Sequence, residues 1–83
     1  MANDNAMTAH ARAGYDGKPN ASMYSSPNYY AHALGAYLQA SGRTAPRDVR
    51  MGRGYTIRAN DMRFAIKHAP KGAPRSVTFE RME

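Results

Sequence analysis

The feature that most restricts how this chain can fold is its shortage of large aliphatic and phenyl side chains. Only eight of its 83 residues are Leu, Ile, Val or Phe, namely Leu34, Leu38, Val49, Ile57, Phe64, Ile66, Val77 and Phe79. A share below roughly 20% combined with high net charge is typical of disordered chains. Six tyrosines and six methionines add some apolar area. We therefore predict one small domain with a thin core, stabilised by a partner.

The residue types present give little support for catalysis, metal binding or membrane insertion. The chain has no cysteine, and His10, His32 and His68 lack the paired spacing of a metal site. Its six acidic residues are scattered, and so short a chain can enclose little volume for a substrate. We expect no enzymatic activity, no cofactor, no metal and no small-molecule substrate. Without a signal-peptide pattern or a long apolar stretch, we expect a protein of the cytoplasm, or of a particle assembled there, that makes no membrane contact.

The clearest secondary-structure signal is a helix over residues 27–41. Ser26 suits the N-cap, Pro27 suits the first helical position, and Gly42 suits the position after the last turn. Apolar residues recur at helical spacing along one stripe, at Tyr30, Leu34, Tyr37 and Leu38. Gly35 and the alanines between them would let a second helix approach closely.

The residues before this helix have the composition of a polar arm. Residues 1–24 are rich in Ala, Asn, Gly and Ser and show no sustained period. We predict no independent structure before about Ser25, with residues 1–24 forming an arm that is flexible or ordered by a partner. Residues 25–83 would then form a small basic domain of helices and strands.

The second half of the chain predicts short elements. Alternating residues favour a strand over 55–58 and another over 76–80. Between them, residues 60–69 fit a helix that Asn60 would cap, and residues 45–51 fit either a short helix or an ordered loop. The predicted fold class is therefore α+β, with the helix described above followed by a β-α-β unit.

The net positive charge is confined to the second half of the chain. Residues 1–42 are neutral, and residues 43–83 carry the whole net charge of +6. Most of the excess is arginine, whose planar guanidinium suits bidentate contact with phosphate or carboxylate. The candidate residues for contact with nucleic acid or another polyanion are Arg43, Arg47, Arg50, Arg53, Tyr55, Arg58, Arg63 and Lys67. We predict a small basic protein that binds DNA or RNA through this segment; an acidic protein surface and a merely solvated basic face are the alternatives.

Four tyrosines within fourteen residues form a second candidate surface. Tyrosine is enriched in protein interfaces, so Tyr24, Tyr29, Tyr30 and Tyr37 are candidate interface residues. For Tyr30 and Tyr37, which lie on the apolar stripe, a place in the core is the favoured interpretation. The tyrosines support the alternative function of an assembly component. It could be a phage-type structural protein, or an inhibitor or adaptor on an acidic face of a larger complex, with self-assembly also possible.

Overall fold

Two helices precede a four-stranded antiparallel sheet along the chain. The computed structural model describes residues 6–19, 27–68 and 77–82. The elements are α1 (Ala6–Tyr15), α2 (Asn28–Ala40), β1 (Val49–Met51), β2 (Thr56–Ala59), β3 (Met62–His68) and β4 (Val77–Met82). The strands pair in chain order, and the helices pack over one face of the sheet. The predicted α+β class is confirmed.

Helix α1 lies inside the segment predicted to be a flexible or partner-ordered arm, so that prediction is wrong for residues 6–15, which form a helix within the chain's own fold. The helix contacts α2 through small residues: Ala11 and Gly14 lie against Gly35 and His32. A Cβ on Gly14 would overlap the carbonyl oxygen of His32, and a Cβ on Gly35 would overlap that of Ala11. The two backbones are therefore in direct contact, which confirms the close helix approach expected at Gly35.

Helix α2 places the predicted apolar stripe against the sheet. Leu34 and Leu38 are buried, and Tyr37 is partly buried. The Tyr37 ring lies 5.8 Å from the Phe64 ring and 5.5 Å from the Phe79 ring, measured between centroids. These distances suit edge-on and tilted aromatic contacts. Helix and sheet thus share one aromatic cluster.

The ends of α2 differ in how well the sequence predicts them. Pro27 stands at the N-cap position without a side-chain cap, and Ser26 lies outside the described residues. At the other end Gly42 has a φ of 72°, and the N–H of Arg43 donates to the carbonyl of Leu38 at 2.9 Å. This is the glycine-terminated helix end that the sequence predicts.

The inner face of the sheet completes the core. Seven of the eight Leu, Ile, Val and Phe residues are buried, and Val77 packs against them partly buried. The buried core consists of Ala11, Ala31, Leu34, Leu38, Val49, Ile57, Ala59, Phe64, Ile66 and Phe79. Three alanines therefore supplement the scarce large side chains, and each large side chain is used in the interior.

The predicted helix over residues 60–69 is wrong, because Met62–His68 form strand β3. Phe64 and Ile66 are buried while the residues between and beside them face outward, which is a period of two. Asn60 has a φ of 59° and belongs to a two-residue turn that joins the paired ends of β2 and β3. Asparagine tolerates this left-handed conformation, so the residue interpreted as a helix cap starts a hairpin turn. The predicted β-α-β unit is replaced by consecutive hairpins.

Asn60 also orders the segment before β1. Its Oδ1 accepts hydrogen bonds from the N–H groups of Arg47 and Asp48, at 3.0 and 3.2 Å. Its own N–H donates to the carbonyl of Asp48 at 2.7 Å. Strand β1 then begins at Val49, so the predicted short helix over 45–51 is wrong. The alternative prediction of an ordered loop fits only residues 45–48, before the strand. The side chain of Asn60 thereby fixes where β1 meets β2.

Candidate nucleic-acid interface

Among the described residues, the outer face of the sheet, turned away from the helices, carries a cluster of positively charged side chains. Within the described parts of the chain, no helix covers this face. Its outward positions on the four strands are Arg50, Thr56, Arg58, Arg63, Ala65, Lys67, Thr78, Glu80 and Met82. None of these residues is aromatic. The face combines cations, threonines, small or flexible apolar side chains and one carboxylate, Glu80.

Three arginines lie side by side across neighbouring strands. Arg50 on β1 is paired with Arg58 on β2, and Arg58 is paired with Arg63 on β3. All three side chains are exposed. We call these three residues the arginine row. Because strands lie about 4.8 Å apart, the row crosses about 10 Å of the sheet, perpendicular to the strands.

Two ion pairs among the described residues involve this face. The Nε of Arg50 lies 2.9 Å from Oδ1 of Asp48, and the Nζ of Lys67 lies 3.6 Å from Oε1 of Glu80. Both ion pairs are solvent-exposed, so each contributes well under about 1 kcal/mol. Like charges opposed on one sheet face destabilise the pairing of their strands. The arginine row therefore costs the fold stability.

A groove lies beside the arginine row at the end of β1. Its volume is about 280 Å³, and it is lined by Arg50, Met51, Gly52, Thr56, Ile57, Arg58 and Arg63. Gly52 takes an outward position but has no side chain to fill it, and a Cβ there would collide with the hydroxyl of Thr56. That hydroxyl donates to the carbonyl of Arg53 at 2.7 Å. We call this depression the Gly52 groove.

The other predicted contact residues lie elsewhere. Arg43 is half-buried after α2, where its guanidinium reaches the Sδ of Met62 at 3.7 Å. Arg47 is exposed in the loop before β1. Arg53 and Tyr55 lie in the turn between β1 and β2, and Tyr55 is 64% exposed. Lys67 lies on the outer face, four residues along β3 from the arginine row. The fold thus brings together Arg50, Arg58 and Arg63 and separates Arg43 and Arg47 from them.

The predicted tyrosine surface is only partly described. Tyr24 lies outside the described residues. The rings of Tyr29 and Tyr30 are tilted against each other with centroids 5.7 Å apart, and both residues are half-buried on α2. Tyr30 and Tyr37 pack against the core, as the favoured interpretation of the stripe expected. An interface role for the tyrosines stays a prediction.

Two histidines meet where the helices cross. His10 is buried, and the Nδ1 atoms of His10 and His32 are both buried without a hydrogen-bond partner. Burial lowers the pKa of His32 below its ordinary value of 6.5, and the charge of His10 lowers it further. Among residues 6–19, 27–68 and 77–82, no group of three or more His, Cys, Asp or Glu side chains could hold a metal ion.

Sequence reasoning missed the two small residues that shape the site. Gly52 and Thr56 line the groove, although the sequence marks Gly52 only as a point of backbone freedom. The alternation of Arg63, Phe64, Ala65, Ile66 and Lys67 was the available signal that these cations lie on a strand. The same stretch also fits a helical period, so the alternation did not identify a strand.

Comparisons with protein-family models, with curated proteins and with solved structures find no match to this chain. No helix in the described part of the chain is long and apolar enough to cross a membrane.

Proposed function

We propose that this protein binds nucleic acid through the outer face of its sheet. The observation that carries the proposal is the arginine row, in which three guanidinium groups are opposed across neighbouring strands. Such a row weakens the isolated fold and is stabilised when an anion lies over it. A phosphate backbone supplies regularly spaced anions to a row of this kind.

The composition of the face favours a phosphate backbone over an acidic protein. Protein interfaces have an apolar core that is enriched in aromatic residues and depleted of charge. The outward positions on the described strands hold no aromatic residue, and their apolar members are only Ala65 and Met82. Binding would therefore depend on charge.

The same composition favours binding without base-sequence preference. Proteins that read single-stranded bases stack them on aromatic side chains. Contacts from arginine to phosphate position a protein on nucleic acid but carry no sequence information. We therefore expect similar affinity for duplexes of unrelated sequence. A location in the cytoplasm, where the protein would meet nucleic acid, is part of the proposal.

Fluorescence anisotropy with a labelled short DNA duplex tests the proposal. Three phosphate contacts predict that log K falls with log salt concentration with a slope of about −2.7. Arg58→Gln should weaken binding and reduce the steepness of that slope by about 1. Lys18→Gln removes the same charge from the turn that follows α1 and is the matched control.

Two results would overturn the proposal. The first is no binding of the wild-type protein at about 50 mM salt, the low end of the range over which such contacts are usually measured. The second is an equal effect of Arg58→Gln and Lys18→Gln, which would mean that charge acts without regard to position. Competition by polyglutamate as strong as that by the duplex would favour the acidic-protein alternative instead.

A further inference from the structure

The Gly52 groove has the construction of a binding site rather than of a gap between side chains. Gly52 stands at an outward position of the sheet, paired with Thr56 through a hydrogen bond from its N–H to the Thr56 carbonyl at 3.0 Å. Any Cβ at this position would enter the groove and collide with the Thr56 hydroxyl. The absence of a side chain at residue 52 is therefore what keeps the groove open.

Three arginines line the groove. Arg50 and Arg58 border it on β1 and β2, and Arg63 borders it on β3. Arginine presents several N–H donors in a planar fork that matches the oxygens of a phosphate. Although Asp48 pairs with Arg50, that ion pair is exposed and leaves the guanidinium able to donate through its other nitrogens.

The size of the groove limits what it can hold. Its volume is about 280 Å³. Pockets that enclose drug-sized molecules run from roughly 300 to 1,000 Å³. A single phosphate group with its adjoining sugar atoms is of the right size and charge for this groove.

We propose that the Gly52 groove is a phosphate subsite, in which the bordering arginines hold one of the three phosphate groups that the arginine row contacts along a nucleic-acid strand. This proposal rests on the proposed function and adds the position at which the strand is anchored. The phosphate is either an internal phosphodiester or a terminal phosphomonoester, since both present negatively charged non-bridging oxygens to the arginines.

Filling the groove while leaving every arginine in place tests the proposal. Gly52→Ala alone would place its methyl group against the Thr56 hydroxyl, so the variant is made together with Thr56→Ala, which removes that collision. Thr56→Ala alone is the matched control, because it keeps the groove open. Circular dichroism melts of both variants establish that the fold is retained.

The expected result concerns affinity and salt dependence together. Relative to Thr56→Ala, the double variant should bind the DNA duplex at least about tenfold more weakly, the loss expected for charge-assisted hydrogen bonds to one phosphate. The steepness of its salt slope should fall by about 1, although no charge has been removed. Equal affinity and equal slope in the two variants would overturn the subsite while leaving the proposed function intact.

A second measurement separates the subsite from the proposed function. Titration of the wild-type protein with inorganic phosphate should shift the amide NMR signals of Gly52 and Thr56 and saturate, and the double variant should show no saturable shift. If the wild type does not bind the duplex, the proposed function fails, and a saturable phosphate shift would preserve the subsite alone. If neither ligand binds, both proposals fail.

The source of the phosphate is distinguished with two otherwise identical duplexes. One carries 5′-phosphates and the other 5′-hydroxyls. A preference for the phosphorylated duplex that disappears in the double variant assigns the groove to a strand end. Equal binding of the two duplexes, with the loss in the double variant retained, assigns it to an internal phosphodiester.

Discussion

Removing the middle charge of the arginine row should make the protein more stable. Arg58 is opposed by Arg50 on one side and by Arg63 on the other. Two unit charges about 5 Å apart in water repel by about 0.8 kcal/mol, so the two pairs together cost about 1.7 kcal/mol. Screening at physiological salt roughly halves this figure. We therefore expect Arg58→Gln to raise the free energy of unfolding by about 0.5–1 kcal/mol, with the Asp48–Arg50 ion pair favouring the lower end.

Thermal and urea unfolding of Arg58→Gln measure this gain. For a domain of this size, 1 kcal/mol corresponds to a rise in Tm of about 4–8 °C. The gain should be largest at low salt and shrink as salt is added, because the repulsion is screened. Lys18→Gln, which changes the net charge equally, should alter Tm little. A loss of stability in Arg58→Gln, or a gain independent of salt, would refute the electrostatic reasoning.

Three further predictions concern the helix crossing and the core. Gly35→Ala should lower Tm in circular dichroism melts, because overpacking against the Ala11 carbonyl costs about 1–3 kcal/mol and exceeds the gain in helix propensity of about 1 kcal/mol. The lowered pKa of His32 means that its neutral form is favoured in the folded protein. The contribution of His32 to the free energy of unfolding should be constant above pH 6.5 and should decrease as the pH falls from 6.5 through the pKa of His32 in the folded protein. Urea titrations at a series of pH values should show a weaker decrease for His32→Gln. Phe64→Ala should lower the free energy of unfolding by about 3–5 kcal/mol, a large part of the roughly 4–12 kcal/mol expected for a chain of this length. Tyr55→Ala, at an exposed site, is the control and should change the free energy of unfolding by less than about 0.5 kcal/mol in the same urea titrations.

The sequence predicts the elements whose large apolar residues follow one clear period. The stripe from Tyr30 to Leu38 identifies α2, and the alternation around Ile57 and Phe79 identifies β2 and β4. Helix α1 escapes this kind of reasoning because it packs through Ala11 and Gly14, which give no hydrophobic signal. The contact between α1 and α2 depends on how closely the two backbones approach, which neither segment's sequence shows by itself.

Strand β3 and the arginine row show a second limit. Met62, Ala65 and Ile66 match a helical period, whereas Met62, Phe64 and Ile66 match the period of a strand. The left-handed conformation of Asn60 belongs to the strand alternative. The sequence identifies the arginines of the site, but it cannot separate Arg50, Arg58 and Arg63 from Arg43 and Arg47. Their selection depends on the register of two hairpins, which is set by turns and by burial of the inner face.

The hydrogen bonds of Asn60 have a consequence for any attempt to isolate the binding activity as a peptide. The arginines of the row come from three strands, and a one-residue shift of β1 along β2 would turn Arg50 from the outer face to the inner one. A synthetic fragment that covers residues 43–58 contains Arg50 and Arg58 but lacks both Arg63 and the Asn60 side chain that aligns β1. Such a fragment would keep the charge density of the segment but lose the side-by-side arrangement of the arginines on neighbouring strands. Affinity that survives in the fragment would measure general attraction between polyions, and the difference from the intact protein would measure what the folded sheet contributes.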